Sequence, residues 1–315
     1  MKNQGWNFDC ASQSEIETIL KLGVPSSRIL YANPVKSEDS LRWASSQGIT
    51  RVTFDCEDEL EKLENYDLLL RISTDDKGSL CALSSKFGAT MEEAKKLIDL
   101  TIKKKLKLVG ISFHVGSGCS KVESYEAAIS NSVELFYYAK KRGLVLTVLD
   151  IGGGFPADSD KFSSIANRIA EQIQDLPFTE FIAEPGRFVV SNACTLYCKI
   201  IGEKERNGVT YFTLTEGVYT SFNNIFFDHY VPKPVPIYPT GSLPPDNPEG
   251  TPYLATFFGP TCDSMDTIVR EYPLTGTKLK RGDWVYFSSM GAYSRAAAGT
   301  FNGFRAAPCS YSAIA

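Results

Sequence analysis

The sequence predicts an α/β protein, a (β/α)8 TIM-like barrel over residues 1–190 followed by a β-sheet domain over residues 191–315. Three observations lead there. From Trp6 to about Val190, short runs of β-branched and aromatic residues alternate with longer amphipathic segments, the rhythm of a parallel sheet with crossover helices. Several of those runs are followed by a hydroxyl three residues before a carboxylate, the spelling of a helix start: Ser12 with Glu15, Thr90 with Glu93 and Ser120 with Glu123. Beyond about Cys194 the texture changes to short alternating runs separated by Gly, Pro and Asn.

Seven runs in the first part read as strands: Trp6 to Cys10, Arg28 to Ala32, Arg51 to Phe54, Leu68 to Ile72, Val109 to Val115, Leu144 to Ile151 and Phe181 to Glu184. Seven steps make a barrel short of one strand, and the pattern alone does not separate it from a doubly wound open sheet. In the second part the expected strands are Leu196 to Ile201, Thr210 to Leu214, Tyr253 to Phe258 and Trp284 to Phe287. Val231 to Pro252, crowded with Pro and Gly, reads as a long surface loop.

Composition removes several function classes. With 315 residues, 43% of them hydrophobic, the chain can bury a large core. A net charge of -4 leaves no basic footprint for nucleic acid or anionic lipid, and Lys103 to Lys105 read as a solvated helix end. No run approaches the ~20 apolar residues of a membrane span, and no signal-peptide pattern opens the sequence, so the expected compartment is cytoplasmic and the expected partner a small polar substrate. The eight cysteines (10, 56, 81, 119, 194, 198, 262, 309) form no CxxC pair, and the two histidines form no metal-spaced cluster. They are expected to be reduced thiols, most of them in the core, with no metal bound.

In a parallel barrel the chemistry collects at the C-terminal ends of the strands, and here those ends are rich in polar residues and glycine. They include Asp9, Asn33, Asp55, Arg71, His114 to Gly118, Asp150 to Gly154, and Glu184 to Arg187. Three glycines, Gly152, Gly153 and Gly154, let backbone N–H groups approach an anion, for which phosphate is the natural guest. One such turn is weak evidence, because a tight structural turn explains about half of them. Gly186-Arg187 adds a guanidinium fork, however, and Gly116-Ser117-Gly118 adds a hydroxyl and further donors. Glu184 reads either as ordinary decoration of a helix N-terminus or as an acid that keeps a pyridine nitrogen protonated, and His114 either as a satisfied core histidine or as a ring that stacks on a flat cofactor. The set points to a phosphorylated aromatic cofactor. In the second domain, Tyr219 to Asn223 with Phe227-Asp228-His229, and Gly259 to Asp266, each set an acid in a turn, where Asx-turn chemistry is an equally good explanation for any single Asp. Tyr293 offers a phenol to a phosphate.

Seven stretches carry a family likeness: FDCAS (8–12), RI-TDD (71–76), SFHVGSGC (112–119), LDIGGGFP (149–156), AEPGRF (183–188), FGPTCDSMD (258–266), and MGAY with TFNGF (290–304). As an ordered set spanning nearly the whole chain, they resemble the eukaryotic-type ornithine decarboxylases, fold type III enzymes dependent on pyridoxal 5'-phosphate. The resemblance implies that Glu184 pairs with the ring nitrogen and His114 stacks on the ring. Ser117, Gly153, Gly154, Gly186, Arg187 and Tyr293 would surround the phosphate, with Asp9, Glu15 and Arg71 lining the pocket. It further implies that Cys262 returns a proton after carbon dioxide leaves, that Asp228 and Asp263, with Tyr219 nearby, bind the distal ammonium of a diamino acid, and that Lys86 and Asp266 bridge the interface of a homodimer with shared sites. The implied activity is conversion of L-ornithine to putrescine in polyamine biosynthesis. Family members form their Schiff base with a lysine in a YAVK-like motif on the first barrel strand. That strand would need at least ~30 residues upstream of Trp6, so the chain is expected to be an N-terminally truncated member and, taken alone, inactive. Lysine decarboxylation, or a non-catalytic role like that of the antizyme inhibitors with an antizyme-like regulator as partner, are the competing readings.

Overall fold

Seven parallel strands, each arising from a run expected to be one, build the first sheet in the computed structural model, which describes residues 1–237 and 251–312. They are β1 (Phe8–Cys10), β2 (Ile29–Tyr31), β3 (Arg51–Phe54), β4 (Asp67–Ile72), β5 (Lys107–Phe113), β6 (Val148–Asp150) and β7 (Glu180–Ile182). Each pairs in parallel with the next in chain order. A doubly wound sheet would reverse its order at a switch point, so the sequential order selects the barrel topology over the open one. Between strands run α1 (Gln13–Lys21), α2 (Glu38–Ser46), α3 (Glu57–Leu60), α4 (Met91–Lys103), α5 (Val122–Lys140) and α6 (Ser159–Ile173). The chain divides into two units, Met1–Gly186 and Arg187–Ala315, with the break a few residues before the expected boundary at 190.

Two observations show that the sheet curls. Arg51 opens β3 and Glu180 opens β7, four strands away, a separation of roughly 19 Å in a flat sheet at the usual interstrand spacing. Their side chains nevertheless meet in a two-pronged ion pair, with Arg51 Nη2 donating to Glu180 Oε2 at 3.1 Å. Inside the curl, Leu30 of β2, Leu69 of β4 and Val148 of β6 form a small buried cluster of their own. Contributions from alternate strands to one interior layer are the packing rule of this barrel. Gly110 of β5 makes room for that layer, because an added Cβ would sit 2.3 Å from the Val148 carbonyl oxygen and 2.9 Å from Leu69 Cδ2.

The helices follow the caps only in part. Ser12 Oγ accepts from Glu15 N at 3.3 Å to start α1, and Thr90 with Glu93 forms a complete capping box on α4. The box expected at Ser120 and Glu123 does not form. Lys121 occupies the cap of α5, which places the Ser120 hydroxyl one residue too early to reach the third helical N–H. That helix buries Tyr125, Ala128, Ile129, Ser132, Leu135, Phe136 and Ala139, a three-four spacing that packs one face against the strands.

The second unit is a six-stranded sheet in the order β10-β13-β8-β9-β11-β12. Its strands are β8 (Leu196–Arg206), β9 (Val209–Leu214), β10 (Val235–Ile237), β11 (Tyr253–Phe258), β12 (Thr267–Leu274) and β13 (Trp284–Phe287). Only β9 and β11 pair in parallel. β8 runs farther than its apolar pattern suggests because Asn207 and Gly208, both at positive φ, close a tight hairpin onto β9. β12 escapes recognition because it is an edge strand broken by Arg270, Glu271 and Pro273, residues suited to an edge. Of the loop expected over Val231 to Pro252, residues 238–250 lie outside the described residues, and Val235–Ile237 is β10. The core is built on Phe212, Phe222, Phe257 and Phe287, with Phe222 set edge-on to Phe287 at 4.7 Å.

All eight cysteines are free thiols, but only Cys10, Cys119 and Cys198 are buried, so the expectation that most belong to the core fails: the others fall in loops and exposed positions. Among the described residues no helix is long and apolar enough to cross a membrane. Gly110→Ala should destabilise the first unit by about 2 kcal/mol through overpacking of the interior layer. Urea unfolding checks this, and an unchanged midpoint would show that the layer is not close-packed.

Candidate active site

The strand ends of the first unit enclose a cavity of about 230 Å³. Its lining includes Asp9 of β1, Asn33 after β2, Thr53 of β3, Arg71 of β4, Ser112 of β5, His114 just after it, Asp150 of β6 and Glu184 just after β7. Alternation along each strand explains the set, since every second side chain points into the barrel and the last inward position meets the cavity. Below it, Lys36 ties two walls together. Its ammonium, wholly buried, donates to the Asn33 carbonyl at 2.9 Å and the Thr53 carbonyl at 2.6 Å and pairs with buried Glu59 at 3.2 Å.

Charge is the dominant feature of the cavity. Glu184 shares side-chain hydrogen bonds with Asp9 and with Asp150, so three carboxyls stand in line. The cation that offsets them in this cavity is Arg71, itself shifted down by burial and stacked 5.1 Å over the Phe87 ring. Burial, and then repulsion from Asp150 and Asp9, hold Glu184 well above the usual carboxylate range. Burial also lifts Asp150 to about 7. Asp9 rises to about 6 through the protein packed around it and through repulsion from Glu15, although solvent still reaches its side chain. Glu15 stands one step back, accepting from Ala11 N at 2.6 Å.

His114 is held neutral. Burial and the nearby Arg71 push it down to about 4. Gly116 N donates to its Nδ1 at 3.0 Å, which leaves the proton on Nε2. That Nε2 faces Gly153, where an added Cβ would lie 2.7 Å away.

The glycine turn after β6 has steric reasons for every member. Gly152 has φ +62 and Gly154 φ +100, and an added Cβ would lie 1.9 Å from the Phe113 carbonyl oxygen at Gly152 and 2.4 Å from the Gly116 carbonyl oxygen at Gly154. Tyr125 Oη donates to the Gly153 carbonyl at 3.1 Å, and Cys119 N to that of Gly154 at 2.8 Å. Ser117 is anchored through its backbone, its N–H donating to the Cys81 carbonyl at 2.9 Å. At Gly186 an added Cβ would meet no atom, so that turn leaves space beside Glu184.

Two further clusters lie in the second unit. Arg187 grips Asp228 with both guanidinium nitrogens, Nη1 donating to Oδ2 at 2.7 Å, and stands 4.9 Å over the ring of Tyr293, a residue held at φ +53. In the other, the Tyr219 hydroxyl donates to Asp263 while its ring stacks on Phe301 at 4.4 Å. That hydrogen bond, with one from Met265 N, keeps the half-buried Asp263 carboxyl below its ordinary range. Cys262 is exposed, and its N–H donates to Asn302 Oδ1 at 3.1 Å.

The structure therefore brings Asp9, Arg71, His114 and Glu184 onto one cavity, with Glu15 and Ser117 on its surrounding turns. Asp228 and Asp263, expected to act together, engage different partners within their unit. Asp266 is buried, accepting from Val218 N at 2.8 Å and Thr261 N at 3.0 Å, while Lys86 is exposed with its ammonium 4.8 Å over Phe87. Asp150, Thr53, Ser112 and Asn302 were not assigned from sequence. For Asp150 a signal existed: it closes β6 at an inward position next to the glycine turn.

These residues fit a protonated, phosphorylated pyridine. Three carboxyls against one guanidinium leave room for a second cation, which a ring nitrogen bearing a proton supplies, and the glycines of the turns carry no side chains that would cover the backbone there. The fold and this donor set define a cofactor-binding barrel for acid-stabilised pyridine chemistry. Residues 1–191 match the family described as "Pyridoxal-dependent decarboxylase, pyridoxal binding domain". The chain is 43% identical to an ornithine decarboxylase of Schizosaccharomyces pombe over 96% of its own length and 71% of the relative's. It is 39% identical to antizyme inhibitor 2 of Xenopus laevis over 98% of its length and 71% of that protein's. The crystal structure of the arginine decarboxylase of Paramecium bursaria Chlorella virus bound to agmatine superposes with a TM-score of 0.90 at 37% identity, covering 97% of this chain and 83% of that one. The chain belongs to the pyridoxal-dependent decarboxylases of the ornithine decarboxylase type, and its cofactor is pyridoxal 5'-phosphate.

The raised and lowered groups set opposite pH dependences. Asp150 titrates near 7 in the fold against an ordinary 3.8, so its stabilising contribution is complete below about 4 and is lost as pH rises through 7. His114 stays neutral down to about 4 against an ordinary 6.5, so its contribution is lost as pH falls between those values. Asp150→Asn, which retains the acceptor for Gly152 N, should therefore stabilise the protein by on the order of 2 kcal/mol at pH 8 and by much less at pH 4.5. Urea unfolding at the two pH values checks the sign. An equal effect at both would contradict the account.

Proposed function

We propose that this chain forms part of an enzyme that decarboxylates L-ornithine to putrescine as a cytoplasmic homodimer with shared sites, the chain taken alone being inactive for want of an assigned Schiff-base lysine. The observation that carries the choice of substrate is the Cys262–Asp263 turn: an exposed thiol beside a carboxylate that Tyr219 keeps ionised. A fixed anion suits the distal ammonium of a diamino acid and repels a substrate with a distal carboxylate. Asp228 is the second acid proposed for that ammonium, and its present partner Arg187 is exchangeable, because Arg187 is also assigned to the cofactor's phosphate. The remaining phosphate donors are Ser117, Gly153, Gly154, Gly186 and Tyr293. Lys86 and Asp266 are assigned to the dimer interface, where Asp266 would act from within its buried turn.

Bound pyridoxal phosphate supplies the electron sink for loss of carbon dioxide. The chain's own residues do the rest. Glu184 would hold the ring nitrogen in its protonated form, and neutral His114 would pack against the ring without adding a competing charge. Arg71 and Asp9 orient the reacting end, with Glu15 behind them. Cys262 Sγ returns a proton to the carbon that carbon dioxide left.

Release of carbon dioxide and amine from L-ornithine, L-lysine and L-arginine by the full-length protein tests the reading. Ornithine should be preferred by at least about tenfold in kcat/KM, the discrimination one methylene or one distal group allows. Cys262→Ala should lower the putrescine fraction of the products by about a hundredfold in rate. Equal use of arginine would overturn the substrate assignment, and an unchanged product profile would remove Cys262 from its role. A second reading follows from the similarity to antizyme inhibitor 2: a regulator-binding protein without chemistry. The retained carboxyl line and the Cys262–Asp263 turn favour the enzyme, since binding a regulator requires neither.

A further inference from the structure

Among the acids that line the cavity, Asp150 is the one the mechanism above does not use, and its contacts tie several parts of the site together. Its Oδ1 accepts from Gly152 N at 2.9 Å, while Gly152 in turn accepts from Glu184 N at 2.8 Å through its carbonyl. Its carboxyl also hydrogen-bonds the Glu184 carboxyl, which hydrogen-bonds Asp9 as well. One residue thus ties the glycine turn after β6, the backbone entering Glu184 and the Glu184 side chain into a single unit. Asp150 is 1% exposed, so water does not compete with Glu184 for its carboxylate.

Two carboxyls in hydrogen-bond contact cannot both be ionised at low cost, and they share one proton. The charged groups acting on this pair are Asp9 from β1, itself hydrogen-bonded to Glu184, and Arg71 from β4; Glu15 acts on Asp9, Asp55 on Arg71, and neutral His114 lines the same cavity. Apart from Arg71 they are acids or neutral, so the surroundings add to the pressure to keep the proton.

We infer that Asp150 is a positioning residue that loads Glu184 with a proton in the cofactor-free protein, and that this proton passes to the ring nitrogen when pyridoxal phosphate binds. This rests on the assignment of Glu184 to the ring nitrogen. The transfer balances within the site: the O–H bond of the Glu184 carboxyl breaks, an N–H bond forms on the ring, and the buried charge is the same before and after. Binding then needs no proton from solvent, even above the pH at which the free ring nitrogen loses its own. The geometry demands Asp rather than Asn at 150. A carboxylate accepts the Glu184 proton, whereas an amide would donate to Glu184 and drive it to the anion.

Infrared difference spectroscopy reads the carboxylic-acid carbonyl band directly, with absorbance of the bound cofactor recorded alongside. In the cofactor-free protein at pH 7 the band should be present and should be lost in Glu184→Gln. In Asp150→Asn its titration midpoint should fall by about one pH unit or more. Addition of pyridoxal phosphate should abolish the band in the parent. A parent without the band at pH 7, a midpoint unmoved in Asp150→Asn, or a band that persists with cofactor demonstrably bound would each overturn the inference. Failure of the protein to take up pyridoxal phosphate at all would instead count against the assignment of Glu184. The cofactor-free spectra decide the role of Asp150 independently of that result.

Discussion

Three carboxyls crowded around one guanidinium at the ends of parallel strands are the constraint on which the rest of the site depends. Asp150 and Glu184 arrive from the neighbouring strands β6 and β7, and the curl of the sheet brings Asp9 of β1 to them from its other end. Such a cluster is costly to bury, because desolvation and mutual repulsion act in the same direction. Its persistence is understandable where a further positive group belongs to the working protein. The protonated ring of pyridoxal phosphate would be such a group, and the glycine turns beside the acids are the surface proposed for its phosphate.

The surrounding architecture serves this cluster at several levels. The interior layer of Leu30, Leu69 and Val148 packs the inside of the curled sheet. The Arg51–Glu180 pair fastens the opposite rim. Lys36 and Glu59 brace the loop after β2 against β3, which fixes Asn33 and Thr53 in the wall. His114 stays neutral because Arg71 and burial act on it together. A flat ring can therefore meet its face without a charge competing with the pyridinium.

Much of this was legible in the residues, for identifiable reasons. Parallel strands buried on both sides write continuous apolar runs, and all seven were found, with ends displaced by a few residues where capping and pairing override local preference. The order of the strands was not legible, because periodicity records each strand and not its neighbour. Glu184, His114, Arg71 and Asp9 stood out because polar residues at strand ends have few structural reasons to be there. Asp150 did not, since its neighbours Gly152 to Gly154 account for the turn without it, and its bond to Glu184 joins residues far apart in sequence. The capping box at Ser120 misled because the helix begins one residue later than its spelling suggests. β12 was hidden by the charges and proline that protect an edge.

The most direct test of the central claim is the nitrogen-15 NMR shift of ring-labelled pyridoxal phosphate bound to the protein. The account predicts a protonated nitrogen that stays protonated well into alkaline pH, and reversion to the unprotonated shift when Glu184 is replaced by Ala. A bound cofactor whose nitrogen is unprotonated at neutral pH would contradict it.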